Sequence, residues 1–256
     1  MTRIGKVELT HGEAGIATLS IMDEKRINTL DTPTVQTMLR MGEELRQDPD
    51  LRLVILRGEG GKSLFGGVDI NEMNDFDTEK SRTFITQLHH LCHMFRALPV
   101  PSIARVEGYC LGGGMEVAAC CDLRIASHNS TFGMPEVKLG MPSVIEAAML
   151  PTLIGWAHTR DLLYTGRMIG AEEALNMGFV QKVVPADQLD EAMQPWIDDI
   201  LAADPAAIRT QKRLIEYWLD NTLAAGIQES IDAFAATFHS DTPMRRIQAF
   251  KDRKEK

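Results

Sequence analysis

Short runs rich in β-branched residues alternate with amphipathic helical stretches along most of this chain. That alternation constrains the fold more than any other feature. Residues 4–10 (IGKVELT) and 15–21 (GIATLSI) read as strands around a turn at HGEAG. Residues 32–47 read as a helix, with Thr32 as N-cap and Pro33 at the first helical position. Val35, Met38, Leu39, Gly42 and Leu45 then share one face. LRLVILRG (51–58) is a strand ending in glycine, residues 78–97 are a helix, and PVPSIARVEGYC (99–110) holds another strand. DLRIASHNSTFGMPE (122–136) gives a strand, a polar turn and a short strand, with Asp122 closing the preceding helix. A β-β-α rhythm recurs without a fixed-period repeat, which points to an α/β fold. Strand signals stop at about residue 196. Residues 205–219, 222–238 and 243–254 read as helices, and their apolar faces (Ile208, Leu214, Ile215, Trp218; Ile227, Ile231, Phe234, Phe238) suit self-association or packing on the core. The expected division is a core over 1–195 and a helical region over 196–256.

The segment LGGGMEVAACCD (111–122) places one acid, Glu116, inside an apolar run that follows three glycines. Charged side chains are rarely buried without a partner. Glycines at a helix N-terminus let a ligand approach unpaired backbone N–H groups at the positive end of the macrodipole. A second glycine loop, LFGGVDI (64–70), also precedes a helix. Two converging N–H donors would make an oxyanion hole. Glu136, in FGMPEVKLGMP, follows Glu116 by 20 residues across a strand–turn–strand. Two carboxyls beside such a hole suit acid–base work on a water or an α-proton.

In these segments the chain resembles the enoyl-CoA hydratase/isomerase (crotonase) family. KRINTL (25–30), LFGGVDINEM, EGYCLGGGMEVAACCD, TFGMPEVKLGMP, LLYTGRMIGAEEALNMGFVQKVVP and AFKDRK carry the resemblance, and their joint order is its specific part. It implies a crotonase-like spiral core of ββα units with a C-terminal helical oligomerisation region, in trimers or dimers of trimers. It implies an acyl-CoA substrate, with no cofactor beyond the coenzyme A of that substrate. By position, Gly66 and Gly113 would supply the oxyanion-hole N–H groups, and Glu116 and Glu136 would be the catalytic pair. Gly66, Gly67, Val68 and Asp69 would contact substrate. Lys25 and Arg26 would meet the coenzyme A phosphates or stay as surface charges. Having both glutamates implies hydration of a trans-2-enoyl-CoA. Another reaction of the family, isomerisation or dehydration of an unusual acyl group, and a non-catalytic acyl-CoA-binding role are the alternatives.

The chain departs from the family pattern at PSVIEAAML (142–150), where a glycine-rich stretch is usual. Ser143 and Glu146 have the spacing of a capping box; alternatively Glu146 is a third acid at the pocket. Asn71 replaces the usual lysine after the first loop. In HHLCH, His89, Cys92 and His93 have a spacing compatible with metal ligation, although the chemistry needs no metal and none is expected. The net charge of −9 argues against a nucleic-acid partner. The four cysteines read as buried thiols of a reducing compartment rather than a disulfide framework. No run reaches the ~20 apolar residues that span a bilayer, and the opening residues lack a signal-like apolar core, so no membrane partner and a cytoplasmic location are expected.

Overall fold

The computed structural model describes residues 1–23 and 27–254. In chain order its first part runs β1 (Thr2–Ile4), β2 (Val7–His11), β3 (Ile16–Ile21), α1 (Thr32–Gln47), β4 (Leu53–Gly58), β5 (Ser63–Phe65), α2 (Ile70–Met73), α3 (Thr78–Ala97), β6 (Ser102–Val106), β7 (Tyr109–Leu111), α4 (Gly113–Ala119), β8 (Leu123–Ser127) and β9 (Thr131–Gly133). Two single turns of 3-10 helix follow, Pro135–Leu139 and Ile145–Met149. Then come α5 (Leu150–Thr165), β10 (Met168–Gly170), α6 (Ala171–Met177), β11 (Lys182–Val184), α7 (Leu189–Ala202), α8 (Pro205–Asp220), α9 (Leu223–Thr237) and α10 (Thr242–Lys254). The chain divides into two units, Met1–Ala202 and Ala203–Lys256.

In the first unit, successive turns of chain contribute one strand to each of two sheets. The larger sheet has the order β1-β2-β3-β4-β6-β8-β11 and the smaller β10-β9-β7-β5. Strands β3, β4, β6, β8 and β11 pair in parallel, with Ile16 opposite Leu53 and Ile103 opposite Leu123. Parallel strands covered on both faces carry continuous apolar runs. That is why LVIL at 53–56 is buried throughout rather than alternating. One face meets the main core, which includes Leu56, Phe65, Phe95, Met115 and Phe132. The other places Leu53, Ile55, Ile103 and Ile125 against Leu189, Met193 and Ile197 of α7. Each such side chain contributes about 2 kcal/mol on burial.

Helices α1 and α3 form over the residues their periodicity predicts, but caps and turns differ. The N-cap of α1 is Asp31, not Thr32. Its carboxylate accepts from Thr34 N–H at 2.9 Å and from Lys6 Nζ at 2.9 Å, which moves Pro33 to the second helical position. A turn at Gly5 and Lys6 splits the expected first strand into β1 and β2. Asp122 does not close α4, which ends at Ala119. Its carboxylate instead accepts from the Ser102 N–H at 2.8 Å and Oγ at 2.9 Å, joining the start of β6 to the start of β8.

The second unit is three helices. The Asp204 carboxylate caps α8 through the Ala207 N–H, and Thr222 caps α9 through the Ala225 N–H. Trp218 Nε1 donates to Ser230 Oγ at 3.1 Å, joining α8 to α9. Ile227, Ile231 and Phe234 of α9 are exposed.

Candidate active site

Asn28 shapes the first glycine loop. It is buried and donates through its backbone N–H to Ser63 Oγ and through Nδ2 to Ser63 O, at 2.9 and 2.8 Å. Its own carbonyl accepts the Gly66 N–H at 2.7 Å. That bond overturns the expected role of Gly66, because a donor held by the protein's own carbonyl is not available to an oxyanion. The free donor lies two residues on. Leu30 N–H donates to Gly67 O at 2.9 Å and Asp69 N–H to Leu30 O at 3.1 Å, clamping the peptides on either side of Val68. Alternation along an extended segment then turns the Val68 N–H away from Leu30. Gly67, at φ +107°, breaks the alternation between Gly66 and Val68. Among the described residues the Val68 N–H has no acceptor. The Asp69 side chain accepts from Asn71 N–H at 2.9 Å and caps α2, and the Asn71 amide turns back to the same carboxylate. Of the four residues expected to contact substrate, Val68 lines the cavity described below. Lys25 and Arg26 lie outside the described residues.

The second candidate donor is Gly113. Gly112 takes φ +53°, which a side chain would resist, and Gly113 begins α4. A first helical residue has no intrahelical acceptor for its N–H. All seven residues of α4 are buried. Its far end is held by Arg124, which donates to the carbonyls of Ala118, Cys121 and Phe179 at 3.3, 2.5 and 2.5 Å.

Val68, Gly113, Glu116 and Glu136 line one cavity of about 430 Å³, with apolar walls that include Met73, Phe76, Phe84 and Leu88. That volume suits a small-molecule site. Glu116 is 4% exposed. Burial pushes its carboxyl up to about 8, against one lowering contact, the Ala147 N–H at 3.0 Å; the charges of Glu136 and Glu146 raise it further. Glu136 approaches over Gly112, where a Cβ would collide with its Oε1, and its Oε2 accepts from Ser143 Oγ at 2.8 Å. The site therefore offers two unspent N–H groups and two carboxyls to one apolar pocket, which fits activation of a carbonyl with proton transfer beside it.

PSVIEAAML does not form the expected capping box. Ser143 serves Glu136, and among the described residues the following 3-10 turn has no side-chain cap. Glu146 is buried and bonds His89 Nδ1 at 2.7 Å. That contact engages His89 Nδ1, and Cys92 lies in the core. Among the described residues no group of three or more His, Cys, Asp or Glu side chains could hold a metal. The four cysteines are free and buried. Among the described residues no helix is long and apolar enough to cross a membrane.

The family model described as enoyl-CoA hydratase/isomerase matches residues 11–256. A short-chain-enoyl-CoA hydratase of Clostridium acetobutylicum is 32% identical over 244 residues, 95% of this chain and 94% of that one. A crotonyl-CoA hydratase of Syntrophomonas wolfei has the same identity and coverage. The crystal structure of an enoyl-CoA hydratase from Bacillus anthracis superposes with a TM-score of 0.92 at 29% identity, covering 97% of each chain.

Proposed function

The chain belongs to the enoyl-CoA hydratase/isomerase family, and from that premise we propose that it adds water across the 2,3 double bond of a short-chain trans-2-enoyl-CoA to give a 3-hydroxyacyl-CoA. The observation that carries this reading is the convergence of the Val68 and Gly113 N–H groups with both Glu116 and Glu136 on one apolar cavity. The thioester oxygen sits between the two donors. Water's oxygen adds to C3 as one glutamate takes its proton. Electrons move from the double bond to the thioester oxygen, giving an enolate, and the other glutamate supplies the proton that ends on C2. Negative charge grows on the thioester oxygen in the transition state, where preorganised donors act most strongly. One glutamate gains a proton as the other loses one, so the pair's proton count is unchanged over the addition. Coenzyme A is part of the substrate, and no separate cofactor enters a step.

Deuterium labelling tests the reading. In D₂O, crotonyl-CoA should give 3-hydroxybutyryl-CoA with one deuterium at C2. Recovery of unchanged substrate, with turnover of a 3-enoyl-CoA instead, would assign isomerisation. The exposed Ile227, Ile231 and Phe234 support a homotrimer or dimer of trimers built through the second unit. Light scattering that reads a monomer would contradict it. A cytoplasmic location is consistent with the four free thiols.

A further inference from the structure

Three features meet behind Glu116 that the hydration chemistry does not use. Glu146 is 5% exposed; its Oε1 lies 2.7 Å from His89 Nδ1, while its Oε2 is buried and has no hydrogen-bond partner among the described residues. An unsatisfied buried carboxylate oxygen is costly. The turn that carries it is strained as well, with Ile145 at φ +40°. The next residue, Ala147, donates the N–H that Glu116 Oε1 accepts. A packing turn needs neither the acid nor the strain.

We propose that His89 and Glu146 form a positioning pair for Glu116, which fixes its carboxyl through the Ala147 N–H and sets the charge that it faces. This rests on the reading of Glu116 as an acid–base group. His89 anchors the turn from α3, with 47% of its side chain open to solvent. The Glu146 carboxylate is one of the two charges that act on Glu116. Other titratable groups lie around the pair, His158 of α5 beside Asp161 among them. On α3 these are His90 and His93, whose rings lie 5.7 and 6.3 Å from that of His89, and Cys92, which feels both Glu146 and Glu116. Cys120, at the end of α4, faces Cys92, and its thiol donates to Met149 Sδ at 3.6 Å. Glu136 reaches Glu116 from the Pro135–Leu139 turn. On α5, packed against the same turn, Arg160 faces Trp156 and Asp161 faces Arg167.

The test uses the full chain with E146Q, H89L and H89Q. Carboxyl-stretch infrared titration of the substrate-free protein, with the Glu116 band assigned by its loss in E116Q, reads the charge effect directly. E146Q keeps an acceptor for His89 but removes the charge, so the Glu116 midpoint should move to lower pH by at least about half a unit. With crotonyl-CoA, H89L should lose about tenfold in kcat with KM little changed, and H89Q, which retains a donor, should recover most of it. An unmoved Glu116 midpoint in E146Q, or wild-type kcat in H89L, would overturn the pair. If E146Q does not fold, the H89L and H89Q comparison decides. If the midpoint moves but the wild type does not hydrate crotonyl-CoA, the pair stands and the hydratase reading falls.

Discussion

Replacing Glu116 by Gln should stabilise the fold and abolish turnover. In the unfolded chain Glu116 ionises near its ordinary 4.5, whereas in the folded protein burial pushes it up to about 8. Between those values the unfolded state has lost a proton that the native state still binds. Native stability therefore falls as pH rises through this window, by about 1.4 kcal/mol per unit. The advantage of the neutral acid is fully present below pH 4.5 and lost once pH passes 8. From the two pKa values the loss is about 3 kcal/mol at pH 7 and about 5 kcal/mol at pH 9. Gln does not titrate, and its carbonyl still accepts the Ala147 N–H, so E116Q escapes the loss. Urea unfolding of wild type and E116Q from pH 5 to pH 9 reads the difference as a growing gap in favour of the variant. A gap that does not change with pH would refute the reasoning, since desolvation of the ionised carboxylate is what drives it. Such a trade of stability for activity is common at active sites.

Ser143→Ala removes the hydroxyl that holds Glu136 Oε2 at 2.8 Å; kcat for crotonyl-CoA should fall about tenfold, the scale of one hydrogen bond to a charged group. Gly114→Ala would set a Cβ 2.9 Å from Phe65 O, against backbone that cannot give way; α4 must shift, and thermal unfolding should register a loss of about 2 kcal/mol or more. Asp31→Ala should cost about 1 kcal/mol in urea unfolding at neutral pH, the usual worth of an N-cap. Burial alone would raise the Asp31 carboxyl, but hydrogen bonds from Thr34 and Lys6 outweigh it and hold it below 3.8. The wild-type advantage over D31A should accordingly persist above that pH and disappear as pH falls through the lowered value.

The elements were legible because their patterns are local. The apolar run of β4, the heptad-like face of α1 and the glycines before α4 each point to one structure without help from distant residues. Gly113, Glu116 and Glu136 could be singled out for the same reason, as each lies in a short motif whose backbone context is set nearby, and all three line the one cavity. What failed depends on partners far away in sequence. Gly66 and Val68 look alike as donors until Asn28, 38 residues before Gly66, takes one N–H and leaves the other. Ser143 and Glu146 have capping-box spacing, but Glu136 and His89 claim their side chains first. The apolar run gave no sign of how Glu116 is held, because its carboxyl accepts from Ala147 N–H, 31 residues on. His89 and Asn28 carried no local signal of their roles. Glu146 stood out only as a departure from the family pattern, and packing of α3 on the Ile145–Met149 turn is what joins it to His89.

The most direct test of the account is a spectrophotometric assay of crotonyl-CoA hydration, following loss of the conjugated thioester absorbance in wild type, E116Q and E136Q. Loss is expected in wild type and none above background in either variant, with all three proteins folded. Activity near wild type in either variant, or no loss in wild type, would contradict it.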